Sequence, residues 1–224
     1  MLKKPYVLLL KKLDLGSAIA MRLVKLTGKS RNRIHPKHLI ARKIWFSKYL
    51  KKNDHVLDLG CNSGQISLKI TPTVKQITSL DVDPKLIAIA QEQARIKKAS
   101  NIKFLIHDAN QKLPFKNNFF EKIICSDVLE HLKRRDLALS EIKRVLKPEG
   151  LLFLVCDNPN TSWKRLQKSV GIFYYADRDH KYEYPKEEIL TKLKSKNFKI
   201  LSVDTIIYDT PVKGLIDLTG GLSL

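Results

Sequence analysis

The sequence lacks the features that mark secreted, zinc-binding and membrane-spanning proteins. Its three cysteines, Cys61, Cys125 and Cys156, are widely spaced and include no CxxC pair. Such a set does not make a disulfide framework or a zinc motif, so we expect no metal site and a reducing, cytoplasmic environment. The apolar run at 7–10 is closed by lysines, and no run approaches the roughly 20 residues that a membrane-spanning helix needs.

Acidic residues are also scarce relative to basic ones. Asp and Glu number 22 against 42 Lys and Arg, which gives a formal net charge of +20. A positive potential attracts polyanions such as nucleic acid, anionic lipid head groups or a phosphorylated substrate. Because the basic residues are spread along the whole chain, an ordinary lysine-rich surface explains the charge about as well as binding to a polyanion does. The 224 residues suffice for one α/β domain with a sizeable core.

Residues 1–36 are predicted to form a basic N-terminal arm or helix. Leu8, Leu15 and Ile19 can share one helical face, with Lys11 on another. A basic amphipathic segment of this kind can lie on an anionic membrane, or it can pack on the domain that follows. The sequence leaves both alternatives open.

From residue 37 onward, apolar segments of strand length alternate with segments of helical period. We predict strands at 55–59, 76–80, 102–106, 122–125 and 151–156, and a longer one at 198–208. Helices are predicted at 37–51, 64–70, from Pro84, over 139–146 and at 185–195, with 147–150 as a helix-ending sequence. This alternation predicts an α/β fold with a Rossmann-like, doubly wound, mainly parallel sheet and helices on both faces. Residues 157–184, which are aromatic and charged, interrupt the pattern.

The sharpest motif is the strand at 55–59 with the turn that follows it, Gly60-Cys61-Asn62-Ser63-Gly64-Gln65. Ligands of open α/β sheets bind outside the carboxyl ends of the strands. Gly60 and Gly64 let the backbone approach a ligand closely, and Asn62 tolerates a left-handed conformation. Asp58 can hold a cationic amino group. The turn has neither the GK[ST] of a phosphate loop nor the full GxGxxG of dinucleotide binders.

Three further strand ends carry polar side chains toward the same edge. Asp81 follows the glycine turn by about 20 residues, which suits hydrogen bonds from ribose hydroxyls. Asp83 is predicted to cap the next helix. Asp108 could accept a hydrogen bond from an adenine amino group, although an isolated aspartate after a strand is commonly a turn residue. The fourth strand delivers Ser126 and Asp127.

Five segments resemble the class I S-adenosylmethionine-dependent methyltransferases (methyltransferase type 11), especially the group that includes ubiquinone and menaquinone biosynthesis enzymes. They are VLDLGCNSGQ, SLDVDP, HDANQKLPF, FFEKIICSDVLEHL and EIKRVLKPEGLLFL. The resemblance covers roughly residues 37–157 and continues more weakly to about 205. It implies a methyltransferase domain over 37–224, with a cap segment at about 157–184. It also implies seven strands with the last antiparallel, for which 216–218 is the candidate.

The resemblance further implies S-adenosylmethionine as the cofactor and S-adenosylhomocysteine as its product. The methionine part would be surrounded by Asp58, Gly60, Asn62 and Gly64, the ribose would meet Asp81, the adenine Asp108 and Ala109, and the sulfonium Ser126. Cys61, Gln65 and Val82 complete the expected cofactor-binding set. The sequence departs from the family pattern at Asn62 and Glu149, where glycine is common.

A sulfonium is already a good leaving group, so the protein mainly aligns the acceptor and excludes water. A general base is needed only where the acceptor must lose a proton. His131 and His180 are the candidate catalytic residues, because neutral imidazole can take a proton near pH 7. Tyr182 and Tyr184 could line an acceptor pocket or simply pack.

The expected function is methyl transfer to a small-molecule, lipid-linked or glycan-linked acceptor in the cytoplasm, with peripheral membrane contact through the arm as an open alternative. The charge of +20 suggests a second function, methylation of RNA or another nucleic acid. Against it, the fourth strand lacks the Asn/Asp-Pro-Pro-aromatic motif of base N-methylation, and Cys125 does not follow proline. A third alternative is a non-catalytic cofactor-binding module.

Overall fold

The computed structural model describes residues 7–9, 11–12 and 44–204. Residues 7–9 and 11–12 are helical, and the rest of the predicted arm lies outside the described residues. Residues 44–158 and 176–201 form one compact unit, the core unit, while 159–175 belong to a second. The predicted cap segment is therefore divided between the two units.

The core unit is built on a parallel sheet of five strands in the described residues. They are β1 His55–Leu59, β2 Gln76–Asp81, β3 Ile102–Ile106, β4 Phe120–Ser126 and β5 Leu146–Val155. Their order is β3-β2-β1-β4-β5, with every neighbouring pair parallel. This confirms the predicted Rossmann-like α/β fold. The order reverses between β1 and β4, and the carboxyl edge at such a reversal is the expected ligand site.

Residues 44–204 contain five α-helices, four of them in the core unit. The core unit holds α1 Gln65–Ile70, α2 Pro84–Ile96, α3 Arg135–Val145 and α5 Lys186–Ser195, and the second unit holds α4 Ser162–Ser169. Asp83 caps α2 as predicted, because its Oδ1 accepts a hydrogen bond from the Lys85 backbone nitrogen at 2.8 Å. Pro84 occupies the first turn, where its missing N–H costs nothing.

Apolar side chains from the strands divide into two clusters, one on each face of the sheet. Leu57 joins a cluster that includes Leu139 of α3. Val56, its neighbour on β1, joins the other cluster with Ile70 of α1 and Phe46. Successive strand residues point to opposite faces, and a parallel sheet must be covered on both. Helices therefore lie on both faces, as predicted.

The region before β1 differs from its prediction as a helix over 37–51. Within the described part, 44–50 contains a turn and a short 3-10 helix, Ser47–Tyr49. The chain turns tightly here because aromatic packing determines its course. Phe46 stacks on Phe153 of β5 with ring centroids 4.8 Å apart, and Trp45 meets both rings edge-on. Residues 37–43 lie outside the described residues.

The fifth strand begins earlier than predicted. The helix before it ends at Val145, but β5 starts directly at Leu146, so 147–150 lie in the strand. Its pairing with β4 is irregular there, between Phe120 and Lys122. Lys147 forms a salt bridge with Glu121 of β4. The helix-ending residues thus serve as a bulge that carries the chain straight into the sheet.

Residues 198–204 form neither strand nor helix, so the strand predicted at 198–208 is wrong over this part. Phe198 and Ile200 pack against the core while Leu201 and Val203 are exposed. The alternation that suggested a strand is real, but a strand also needs a hydrogen-bonded neighbour. Residues 205–208 and the candidate strand at 216–218 lie outside the described residues.

Among the described residues, no helix is long and apolar enough to cross a membrane.

Candidate functional site

The glycine-containing turn after β1 adopts the left-handed conformations that its sequence predicts. Gly60, Asn62 and Gly64 have φ angles of 71°, 52° and 76°. A Cβ atom on Gly60 would lie 2.4 Å from Cγ2 of Val128, so this position also lacks room for a side chain. The turn therefore runs against the segment that follows β4, at the reversal of strand order.

Asp81 fastens the end of β2 to this turn. Its Oδ2 accepts a hydrogen bond from the Asn62 backbone nitrogen at 2.7 Å, and its Oδ1 accepts one from the Asp83 nitrogen at 3.0 Å. The His107 nitrogen after β3 donates to the Asp81 backbone oxygen at 2.9 Å. Three strand ends thus meet at one residue, Asp81. Each carboxylate oxygen can accept a second hydrogen bond, which suits a ribose diol.

Asp58 lies beneath the turn, 2% exposed, rather than at its surface. Ser67 of α1 donates a hydrogen bond to Asp58 Oδ2, and the Ser67 and Ser79 hydroxyls lie 2.8 Å apart. Burial raises the pKa of Asp58 to about 7. The hydrogen bond from Ser67 lowers this pKa in part, and the charge of Asp81 raises it further. A ligand ammonium group nearby would favour its charged form.

The loop after β3 uses Asp108 for local structure. Its Oδ1 accepts hydrogen bonds from the backbone nitrogen of Asn110 at 2.8 Å and from the Asn110 side chain at 2.9 Å. Asn110 in turn accepts from the nitrogens of Lys133 and Arg134. Asp108 therefore stabilises the loop after β3, and its role at the adenine stays a prediction. Ala109 packs, partly buried, against the core.

The remaining cofactor-site predictions fall at the same edge. Val82 is 63% exposed beside Asp81, and Gln65 is the half-buried first residue of α1. Cys61 is buried, and burial raises the pKa of its thiol, which makes it unreactive at neutral pH. Ser126 ends β4 and is half-buried. The structure thus gathers the predicted residues along the carboxyl edge of β1 to β4.

The two predicted catalytic histidines are neighbours in space. The ring centroids of His131 and His180 lie 4.6 Å apart in an edge-to-face arrangement. Backbone hydrogen bonds fix this proximity, because the nitrogens of Lys181 and Tyr182 both donate to the Glu130 backbone oxygen, at 2.6 and 3.2 Å. His131 is exposed as a whole residue. Its pKa is lowered, first because part of its ring is desolvated and second because of the charge interaction with His180.

His180 is buried and faces two carboxylates that sequence reasoning did not identify. Its Nδ1 lies 2.8 Å from Glu183 Oε1, and its Nε2 lies 3.8 Å from Asp157 Oδ2. Glu183 Oε1 also accepts from the Ala176 nitrogen at 2.6 Å. The three-residue spacing from His180 to Glu183 was the available signal for this pair.

Glu130 is the third acidic residue that sequence reasoning missed. It is 0% exposed, and neither carboxylate oxygen has a hydrogen-bond partner in the part of the chain that the structure describes. Burial raises its pKa to about 7, and the charges of Asp127 and Asp157 contribute. Its signal in the sequence was an acid inside the apolar run Val128–Leu132, next to a histidine.

The described residues also form a basic and aromatic groove of about 540 Å³. It is lined by Tyr182, Tyr184, residues 133–137, Glu188 and Lys192. The Arg135 guanidinium lies 5.1 Å from the Tyr182 ring centroid. Tyr184 is almost fully buried, so it packs in the core as well as lining the groove.

Comparison with known proteins agrees with this geometry. The family model described as a methyltransferase domain matches residues 57–154, the segment from β1 to β5. Over these residues the chain is similar to the class I S-adenosylmethionine-dependent methyltransferases, as its motifs predicted. The match also implies S-adenosylmethionine, the cofactor of this family.

The methyltransferase domain has relatives with differing names. The chain is 31% identical over 143 residues to the YqeM protein of Bacillus subtilis, covering 62% of this chain and 56% of that one. It is 29% identical over 131 residues to the demethylmenaquinone methyltransferase of Lactiplantibacillus plantarum, covering 57% and 54%. The solved structure of SpnF, a 4+2 cyclase, superposes with a TM-score of 0.57 at 29% identity, covering 69% and 55%. The chain spans little more than half the length of these relatives.

Proposed function

We propose that this chain catalyses methyl transfer from S-adenosylmethionine to a small-molecule, lipid-linked or glycan-linked acceptor. One observation carries the proposal: the Asn62 nitrogen and Asp81 Oδ2 lie 2.7 Å apart, joining the glycine turn to the β2 carboxylate. This contact holds the Asp81 carboxylate against the turn after β1, which borders the reversal of strand order, and each carboxylate oxygen can still accept a further hydrogen bond.

We assign the cofactor edge as follows. Asp81 and Val82 hold the ribose, the turn from Gly60 to Gln65 surrounds the methionine part, and Asp58 supplies negative charge beneath its ammonium group. Asp108 and Ala109 border the adenine, and Ser126 faces the sulfonium. When bound, S-adenosylmethionine supplies an activated methyl group, and the residues of the chain orient the acceptor and exclude water.

The acceptor side lies at the carboxyl ends of β4 and β5. His131 stands there with an exposed ring, so we assign it as the base for an acceptor that must lose a proton. His180 is less suited to this role, because each of its ring nitrogens faces a carboxylate. The relative named as a demethylmenaquinone methyltransferase supports a small, lipid-like acceptor for this chain.

Similarity to SpnF favours one other function, in which the same fold serves a reaction other than methyl transfer. A fold does not fix the chemistry of its site. The formation of S-adenosylhomocysteine separates the two functions.

Calorimetric titration of S-adenosylmethionine and S-adenosylhomocysteine tests the proposal. Wild type should bind both, and Asp81→Ala should weaken binding at least about tenfold, the order expected from losing hydrogen bonds to a charged group. Glu92→Ala removes an exposed acid from α2 and should leave binding unchanged. Folded wild type that binds neither compound would refute the cofactor site.

Incubation with methyl-labelled cofactor and membrane lipid or glycan extracts then identifies the acceptor. With that acceptor, His131→Asn should lower kcat and leave the affinity for S-adenosylhomocysteine unchanged. If the protein binds the cofactor but transfers no methyl group to any extract, a reaction other than methyl transfer is favoured. If His131→Asn keeps the wild-type kcat, His131 is not the base.

A further inference from the structure

The buried acidic cluster at the ends of β4 and β5 is built like the ligand set of a metal ion. Glu130 follows β4, Asp157 follows β5, and His180 comes from the segment anchored to the Glu130 backbone oxygen. One ligand atom from each of these residues lies within 4.8 Å of the other two. We propose that Glu130, Asp157 and His180 bind a divalent transition metal ion beside the acceptor side of the site. This departs from the expectation of no metal that the cysteine pattern suggested.

The strongest support is the state of Glu130. A fully buried carboxylate ordinarily has hydrogen-bond partners or a cation, because burial without either costs several kcal/mol. Glu130 has no hydrogen-bond partner for either oxygen among the residues described. A second carboxylate, that of Asp157, belongs to the same cluster. A dication would balance both negative charges and use the open lone pairs.

The orientation of His180 is the second, independent support. Its Nδ1 lies 2.8 Å from Glu183, a side chain with 0% exposure, so in the neutral ring Nδ1 carries the proton. That tautomer leaves the Nε2 lone pair facing Asp157 Oδ2 at 3.8 Å. Metal-binding histidines are oriented in this way by a carboxylate on their other nitrogen.

The distance between His180 Nε2 and Asp157 Oδ2 suits two ligands of one ion better than a direct hydrogen bond between them. At 3.8 Å, Nε2 and Asp157 Oδ2 are too far apart for a hydrogen bond. Two donor atoms that each lie about 2.1 Å from one ion are roughly 3–4 Å apart, so the observed gap is of the right size. The three ligand atoms lie within 4.8 Å of one another, so the widest pair would have to approach slightly, by rotation of a carboxylate, when an ion binds.

The donor set indicates which ions would bind. One imidazole and two carboxylates favour Mn²⁺, Fe²⁺, Co²⁺ or Zn²⁺ over Mg²⁺ and Ca²⁺, which prefer oxygen ligands throughout. Three protein ligands leave coordination positions open for water or an acceptor oxygen. Such an ion would lower the pKa of a bound hydroxyl group, which goes beyond the cofactor chemistry proposed above.

Titration of the metal-stripped full chain with Mn²⁺, followed by electron paramagnetic resonance, tests the proposal. Wild type should bind Mn²⁺, with Zn²⁺ competing, and Glu130→Gln should abolish or greatly weaken binding while keeping the size of the side chain. Glu183→Gln should weaken it by about 10–100-fold, as expected for a residue that orients a ligand. Glu92→Gln, the exposed control, should bind as wild type does.

Two further measurements keep the test decisive. Mn²⁺ should raise the Tm of wild type and leave that of Glu130→Gln unchanged, with circular dichroism showing that both are folded. If wild type does not bind Mn²⁺, or if Glu130→Gln and His180→Gln bind it as wild type does, the proposal is overturned. Titration of S-adenosylhomocysteine in the same samples separates this failure from failure of the proposed function.

Discussion

At the scale of single residues, Asp58 couples the cofactor edge to pH. Its pKa is raised from 3.8 to about 7, chiefly by burial, so the folded state keeps a proton that the unfolded chain releases. The stability from this group is fully present below about pH 4 and is lost as pH rises through 7.

The corresponding prediction compares Asp58→Asn with wild type. The free energy of unfolding of wild type should fall between pH 4 and 7 relative to that of Asp58→Asn, by an amount on the order of 1–4 kcal/mol. Urea unfolding at several pH values measures it. Parallel curves for wild type and Asp58→Asn would contradict the prediction.

For the residues proposed to bind the cofactor, the position at the carboxyl edge of the sheet was largely predictable, because it follows from chain order. A carboxylate at a strand end reaches the carboxyl edge wherever the strand lies in the sheet, as Asp81 does. Glu130, Asp157 and Glu183 were not predictable in this way. Their proximity depends on backbone hydrogen bonds from 181–182 to Glu130, which no local pattern in the sequence reveals.

At the scale of elements, the turn between β1 and α1 is constrained by conformation and by space. Gly60→Ala would put a Cβ atom at φ 71° and 2.4 Å from Val128. We expect a loss of about 1–3 kcal/mol in the free energy of unfolding and weaker S-adenosylhomocysteine binding.

Gly171→Ala provides the matched control for this prediction. Gly171 has φ 72°, but an added Cβ atom there would meet nothing within 4 Å. Gly171→Ala should lose only the part of the unfolding free energy that comes from the left-handed backbone. The double variant Gly60→Ala/Val128→Ala should recover the part that comes from the clash with Val128. Equal losses in the two single variants would show that Val128 does not restrict the turn.

Element boundaries show where sequence patterns stop being informative. β1 and β3 match their predictions because short apolar runs are bounded by turn residues on both sides. The region at 198–204 has the same alternation but no hydrogen-bonded neighbour in the described residues. Strand pairing depends on distant segments, so apolar periodicity predicts the buried face better than it predicts the strand.

At the scale of the whole molecule, the charge of +20 predicts non-specific binding of RNA. Affinity should fall steeply with salt, because bound phosphates release counterions. Fluorescence anisotropy between 50 and 200 mM salt measures this, with S-adenosylhomocysteine affinity as the salt-insensitive control. Methyl transfer that depends on RNA would contradict a purely electrostatic origin and favour the nucleic-acid alternative.

The attachment of residues 181–182 to the end of β4 has a consequence for how this protein can change. Both hydrogen bonds at Glu130 join backbone atoms, so they survive almost any exchange of the side chains at Lys181 and Tyr182. The segment can therefore vary in sequence while its position persists. Directed evolution aimed at new acceptors should randomise these two positions first, because such libraries sample new surfaces without losing the anchor.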